Sequence, residues 1–180
     1  MSDLSNGVGK LLKCAEKDGK RTYLIILLSY EGALRVSELI HIRVKDFDFK
    51  KEVVSLVPVR KKDKTKGQCT LSSEALSAVQ SYIKEYEIKS ESFLFPGRTK
   101  RSCTLVSFDC TGGHISKRDV QLIFDRVAVA AGMKEKGRGI QLLKHARLVK
   151  AAKDTKDPHE IQKLGRYGST AMSARYIAEV

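Results

Sequence analysis

The 180-residue chain has no apolar run long enough to cross a bilayer. Its longest, Tyr23 to Leu28, lies inside a helix-like stretch and falls far short of the ~18–20 residues that a span needs. Met1 is followed by Ser2-Asp3-Leu4 rather than by a basic and then an apolar segment, so no secretory leader is read there. The four cysteines, Cys14, Cys69, Cys103 and Cys110, fall at no CxxC spacing, which speaks against a zinc ribbon and against a disulfide framework. On these absences a soluble domain in a reducing setting is expected, the cytoplasm of a cell or its nucleoid. Internal repeats and low-complexity tracts are missing too. Acidic residues are the other shortage: 21 Asp+Glu face 34 Lys+Arg, a formal net charge of +13. Such an excess repels itself unless a polyanion is near, so nucleic acid leads the candidate partners. What is present suffices for one domain, because 42% of residues are hydrophobic and can bury a core.

The pattern along the chain predicts a mainly α fold with a small antiparallel β-sheet, an α+β class. A short helix is expected over Val8 to Lys17. "RTYLIILLSYE", Arg21 to Glu31, is apolar nearly all round and reads as a buried helix. Gly32 interrupts it, and "LRVSELIHI" reads as a second short helix. Val53 to Val59 is β-branched and reads as a strand, with Pro58 near its end. A basic turn, Arg60 to Gly67, leads to a second strand, Gln68 to Leu71, forming a hairpin whose tip holds five basic residues and one acid. Ser72 should cap a helix to about Tyr86, with Leu76, Val79 and Ile83 on its core face. Arg98 to Gly113 carries no pattern and reads as a long loop. Ser116 to Asp119 fits a capping box opening a helix that Gly132 stops. Helices from about Gln141 to Ala152, Pro158 to Leu164 and Thr170 to Ala178 complete the chain.

Four basic sites and a late tyrosine stand in a recognisable order. "GALRVSEL" holds Arg35 with Glu38 one turn on; "RKKDKTK" is the hairpin tip; "KHARLVKAA" sets Lys144 and Arg147 three apart; "IQKLGRYGSTAMSARY" ends on Tyr176, ten residues past Arg166. This order resembles the catalytic domain of the tyrosine recombinases, the phage integrase family. "GALRVSEL" is similar to the first arginine box, the hairpin to the catalytic-lysine hairpin, and "IQKLGR" to the box usually written IQxLLGH. "LFPG" and "HISKRDV" resemble the segments between boxes. The likeness covers roughly Lys20 to Val180.

The resemblance implies a metal-independent enzyme without cofactors that cleaves and rejoins double-stranded DNA through a 3′-phosphotyrosyl intermediate. The residue types suit that chemistry. Arginine forks can clamp the nonbridging oxygens where negative charge develops, a lysine can protonate the leaving 5′ oxygen, and a tyrosine among cations becomes a better nucleophile. The catalytic set implied is Arg35, Lys62, Lys144, Arg147, Arg166 and Tyr176. Lys62 fits best by counting back from Leu71, with Lys61 and Lys64 as rivals. Tyr167 lies close to the LGR box, and Tyr176 is therefore the nucleophile candidate.

The HxxR box admits two registers. In one, Lys144 replaces the histidine and Arg147 is the arginine, a KxxR form. In the other, Gln141 replaces the histidine, Lys144 the arginine, and His145 follows. The first is preferred because a lysine cannot supply planar bidentate geometry, while the second has the more usual spacing to Tyr176. Arg166 stands where the family has His or Trp. Glu38 is expected to hold the first box structurally. Arg60, Lys61, Lys64, Lys66, Lys117 and Arg118 are expected DNA contacts. His41, His114, His145 and His159 are assigned no metal role, and Cys103 and Cys110 with His114 lack a fourth ligand.

As domain organisation, residues 1–180 are expected to form one catalytic domain with its core from about residue 20, without the N-terminal core-binding domain of the family. Self-association into a tetramer on recombination sites is a further implication. The competing reading is a catalytically impaired recombinase fold kept for DNA binding or architecture. A third is a type IB topoisomerase-like relaxase.

Overall fold

A computed structural model describes residues 3–57, 67–97, 113–133, 139–178 and 180. The elements run α1 (Asp3–Asp18), α2 (Lys20–Glu31), α3 (Val36–Leu39), a 3-10 turn (Val44–Asp46), β1 (Phe47–Asp48), β2 (Val53–Leu56), β3 (Gly67–Thr70), α4 (Ser73–Glu85), α5 (Lys117–Ala130), α6 (Gln141–Thr155), α7 (Pro158–Gly165) and α8 (Ala171–Ala178). A helix that is apolar all round has to be surrounded. α2 buries Leu24 through Leu28, with Thr22 and Ser29 also inside, and packs against α1, α4, α5 and α6. α1 offers it the stripe Val8, Leu11 and Ala15, buried at helical spacing. That helix begins five residues before the predicted Val8, at Asp3, and runs through Gly7 without a break.

The sheet has three strands rather than the expected two, in the antiparallel order β1-β2-β3. β1 is two residues long, too short for an alternation to be read in the sequence. Phe47 pairs with Val54, and Val54 with Cys69, so one inward file crosses all three strands. The described part of the strand predicted over Val53–Val59 is Val53–Leu56. Among the described residues, no helix is long and apolar enough to cross a membrane.

Caps fall where their residue types direct. The Ser72 hydroxyl accepts from the Ala75 N–H at 3.1 Å and donates to Glu31, tying α4 to the end of α2. Ser116 accepts from the Asp119 N–H at 3.0 Å. Gly132 closes α5 in the left-handed region (φ 67°), with Met133 N–H bonding the Ala128 carbonyl. The expected Arg98–Gly113 loop lies, Gly113 apart, outside the described residues. Its flanks meet, Gly97 N–H donating to the Gly113 carbonyl at 2.7 Å.

Two apolar clusters result. The larger joins α1, α2, the sheet, α4 and α5 to the Leu143–Ala146 part of α6. The smaller consists of Ala33, Leu148, Ala151, Ala152 and Ile161, with Leu164, Tyr167, Tyr176 and Ile177 packed on it. α6 serves both, and in doing so brings Lys144 to the polar cluster described next.

Candidate active site

Arg35 is the N-cap of α3, a helix of a single turn. Glu38, at the third position, reaches back to the Arg35 backbone N–H at 2.7 Å and to its Nη1 at 2.8 Å. This pins the guanidinium over the start of the helix. A third of the Arg35 side chain stays exposed. Its Nη2 also donates to the Arg166 carbonyl at 3.3 Å. Five N–H groups less two leaves three that have no partner among the described residues.

Arg166 is the opposite case. Its side chain is 11% exposed. Nε and Nη2 fork onto the two Glu38 oxygens at 3.1 and 2.9 Å; Nη1 donates to the Gly32 and Leu164 carbonyls, both at 3.0 Å; Nη2 also donates to the Ala33 carbonyl at 2.5 Å. All five donors are used, and none is left for a phosphate. Two non-glycine residues hold left-handed backbone to make this possible, Ala33 at φ 44° and Arg166 itself at φ 53°. Strain of that kind persists only where the surroundings enforce it. Gly67, at the start of β3, lies against the same side chain: a Cβ there would meet Arg166 Cδ at 3.1 Å.

Glu38 is 5% exposed. Burial pushes its carboxyl up, but the Arg166 bonds and charge, the Arg35 N–H and the nearby Lys144 outweigh this and hold it below the usual range. Lys144 is 6% exposed and donates to the Gly165 carbonyl at 2.8 Å. Desolvation, then the charges of Arg166 and Arg35, push its ammonium down to about 7, against the pull of Glu38. Lys144 also lies over the Tyr167 ring, 5.4 Å from its centroid. Beneath them, Cys69 is buried, and desolvation pushes its thiol up to about 12.

Tyr176, on α8, stacks on Tyr167 with ring planes 22° apart, and their hydroxyls are 3.1 Å from each other. The His145 ring centroid lies 5.4 Å from that of Tyr176. The structure thus gathers Arg35, Lys144 and Arg166 around Glu38 and connects them through Tyr167 to Tyr176. It does not bring Arg147 to them. That residue is half-buried one turn along α6 and makes no hydrogen bond or ion pair among the described residues. Lys117 and Arg118 are exposed in the first turn of α5. Arg60, Lys61, Lys62, Lys64 and Lys66 lie outside the described residues. No three metal-binding side chains cluster among those described.

Two members of the site, Tyr167 and His145, are named in the sequence analysis, Tyr167 as the tyrosine set aside and His145 as the residue after Lys144, but neither is given a role beside Tyr176 there. Their spacing from Tyr176 follows no helical or strand period, and they meet it only because α6, α7 and α8 fold together.

A profile of the phage integrase family matches residues 5–180. The tyrosine recombinase XerC of Xanthomonas axonopodis pv. citri (strain 306) is 30% identical over 115 residues, 64% of this chain and 33% of that protein. Among solved structures, the XerA recombinase superposes with a TM-score of 0.78 at 18% identity, over 96% of this chain and 56% of that one. The XerH site-specific recombinase, in a pre-cleavage complex with its difH substrate, gives 0.73 at 18% identity, over 95% and 48%. The chain spans about a third of the length of the curated relatives it matches and about half of these structural neighbours. With a profile covering nearly every residue and the same mostly helical fold, the chain belongs to the phage integrase family.

Proposed function

We propose that this chain is the catalytic unit of a site-specific DNA recombinase. Tyr176 attacks a backbone phosphate; the bond from its oxygen to phosphorus forms as the bond to the 5′ oxygen breaks. The phenol gives up its proton, the departing 5′ oxygen takes one up, and the strand end stays on the enzyme as a 3′ phosphotyrosine. Attack by another 5′ hydroxyl reverses the step on a new partner. The observation that carries this reading is the convergence of Arg35 and Lys144 beside a tyrosine pair containing Tyr176. Arg35 holds three free N–H groups for the nonbridging oxygens, where fixed donors stabilise developing charge.

The geometry supports the register in which Lys144, rather than Arg147, is the second cation. Lys144 alone of the two joins the cluster, and an ammonium poised near neutrality can also move a proton. Arg166 is placed as the residue that fixes Glu38, and through it Arg35. A lysine of the 58–66 segment, Lys62 first, supplies the leaving-group proton; the position of Gly67 against Arg166 supports this, because that segment's exit adjoins the cluster. Double-stranded DNA as partner, a tetramer on the recombination site and action in the cytoplasm belong to the same proposal, as does a single catalytic domain over residues 1–180.

One observation favours the impaired, DNA-binding reading: Arg166 has no donor left to offer. A single experiment separates the two. Nicked duplexes with a randomised central segment are incubated with the chain, and DNA–protein adducts are scored on a denaturing gel. A recombinase gives an adduct that Tyr176→Phe abolishes. Binding without an adduct anywhere in the pool establishes the architectural reading.

A further inference from the structure

Tyr167 is built into the site more firmly than a packing tyrosine requires. Its ring lies directly on Gly165, where an added Cβ would meet Tyr167 Cε2 at 2.3 Å, so only glycine admits the ring there. The Gly165 carbonyl is the one that holds Lys144. Gln162 Nε2 donates to the Tyr167 carbonyl at 3.1 Å, fixing the backbone at the end of α7. Lys144 sits over the ring face, and the ring stacks nearly parallel on Tyr176. Every one of these contacts orients the hydroxyl that lies 3.1 Å from the Tyr176 oxygen.

We propose that Tyr167 is a positioning residue whose hydroxyl donates to the Tyr176 oxygen, aiming it and supporting the phenolate as it forms. The direction of donation follows from the charges. A Tyr176 oxygen that has lost its proton can only accept. The charged and titratable groups around the pair are Lys144 and His145 of α6, with Arg147 a turn along it; Arg166 at the end of α7, occupied by Glu38; and Arg175 of α8, which is exposed. The inference rests on Tyr176 being the nucleophile.

The test uses Tyr167→Phe in the full chain, which keeps the ring on Gly165. Single-turnover adduct formation on the nicked pool is followed between about pH 6 and pH 10, and tyrosine labelled with carbon-13 at Cζ is titrated by NMR. The variant is expected to form the adduct still at Tyr176, about tenfold more slowly near pH 7, with the rates converging as pH rises. The Tyr176 carbon signal titrates at higher pH than in the wild type. A rate profile and titration that superpose on the wild type overturn the proposal, as does an equal loss at every pH, which marks a merely structural role. If the wild type forms no adduct, or Tyr176→Phe still does, the nucleophile assignment fails instead. The carbon titration then still decides whether the two hydroxyls are coupled.

Discussion

Arg35 and Arg166 both bond Glu38, yet they differ in what they retain. Removing the Arg166 side chain leaves a buried carboxylate without its fork and three backbone carbonyls without donors. Breaking a buried pair from one side costs about 3–5 kcal/mol, so Arg166→Ala should lower the urea midpoint by that equivalent. Arg35→Ala, at a side chain one third exposed, should cost under about 1 kcal/mol and act on cleavage instead. Equal losses of stability would contradict the division of roles. Lys144 gives a prediction of opposite sign. Its folded value, about 7, lies below its ordinary 10.5, so the unfolded chain binds more protons between these pH values and stability rises with pH across that window. Below about pH 7 the full cost of burying the ammonium is felt. Lys144→Met should therefore stabilise the fold by roughly 1–3 kcal/mol at pH 6. Near pH 10, where the buried lysine is already neutral, the gain should shrink, and denaturation at the two pH values checks it. The sequence carried Arg35 and Glu38 legibly, because a box of consecutive residues fixes both on one short helix. It could not carry the role of Arg166. Whether an arginine faces a phosphate or three carbonyls depends on Gly32 and Ala33, more than 130 residues away.

At the level of elements, helices with a strong apolar period and a capping serine were readable, as α4 and α5 show, because cap and period are local. β1 was not, since its two residues gain their identity only by pairing with β2. The join between α7 and α8 is likewise tertiary. Gly165 ends α7 buried beneath the Tyr167 ring, and its carbonyl accepts from Lys144. Gly165→Ala is helix-favouring by propensity, by up to about 1 kcal/mol. The 2.3 Å clash with the ring should reverse that sign and displace Tyr167. The expected outcome is a net loss of stability together with loss of the Tyr176 carbon-13 coupling to Tyr167. A stabilised variant with an unchanged Tyr176 titration would show that the ring is not held by this contact. Ser72→Ala offers a control that touches none of the Glu38, Lys144 or tyrosine contacts. It removes a cap and the tie to Glu31, and should cost about 1 kcal/mol without changing cleavage once stability is matched.

The molecule as a whole carries +13, and a large part of that excess is concentrated in one short stretch: Arg60, Lys61, Lys62, Lys64 and Lys66 stand within seven residues, against Asp63 alone. Neutralising phosphates releases condensed counterions, so affinity for duplex DNA should fall steeply as salt rises. With four or five phosphate contacts, raising salt from about 50 to about 200 mM should weaken binding on the order of a hundredfold. Contacts of this kind position a protein on the duplex without reading bases, so cognate-like and scrambled duplexes should differ little for this chain alone. Replacing Lys61, Lys64 and Lys66 with glutamine should flatten the salt dependence by roughly one phosphate for each lysine that makes a contact. Lys62 is left in place so that cleavage and binding are scored separately. Titrations of fluorescent duplexes at several salt concentrations measure both the slope and the sequence preference. A slope unchanged by the triple substitution would mean that Lys61, Lys64 and Lys66 do not meet the backbone, and would point to Lys117 and Arg118, exposed at the start of α5, as residues whose substitution should then flatten it.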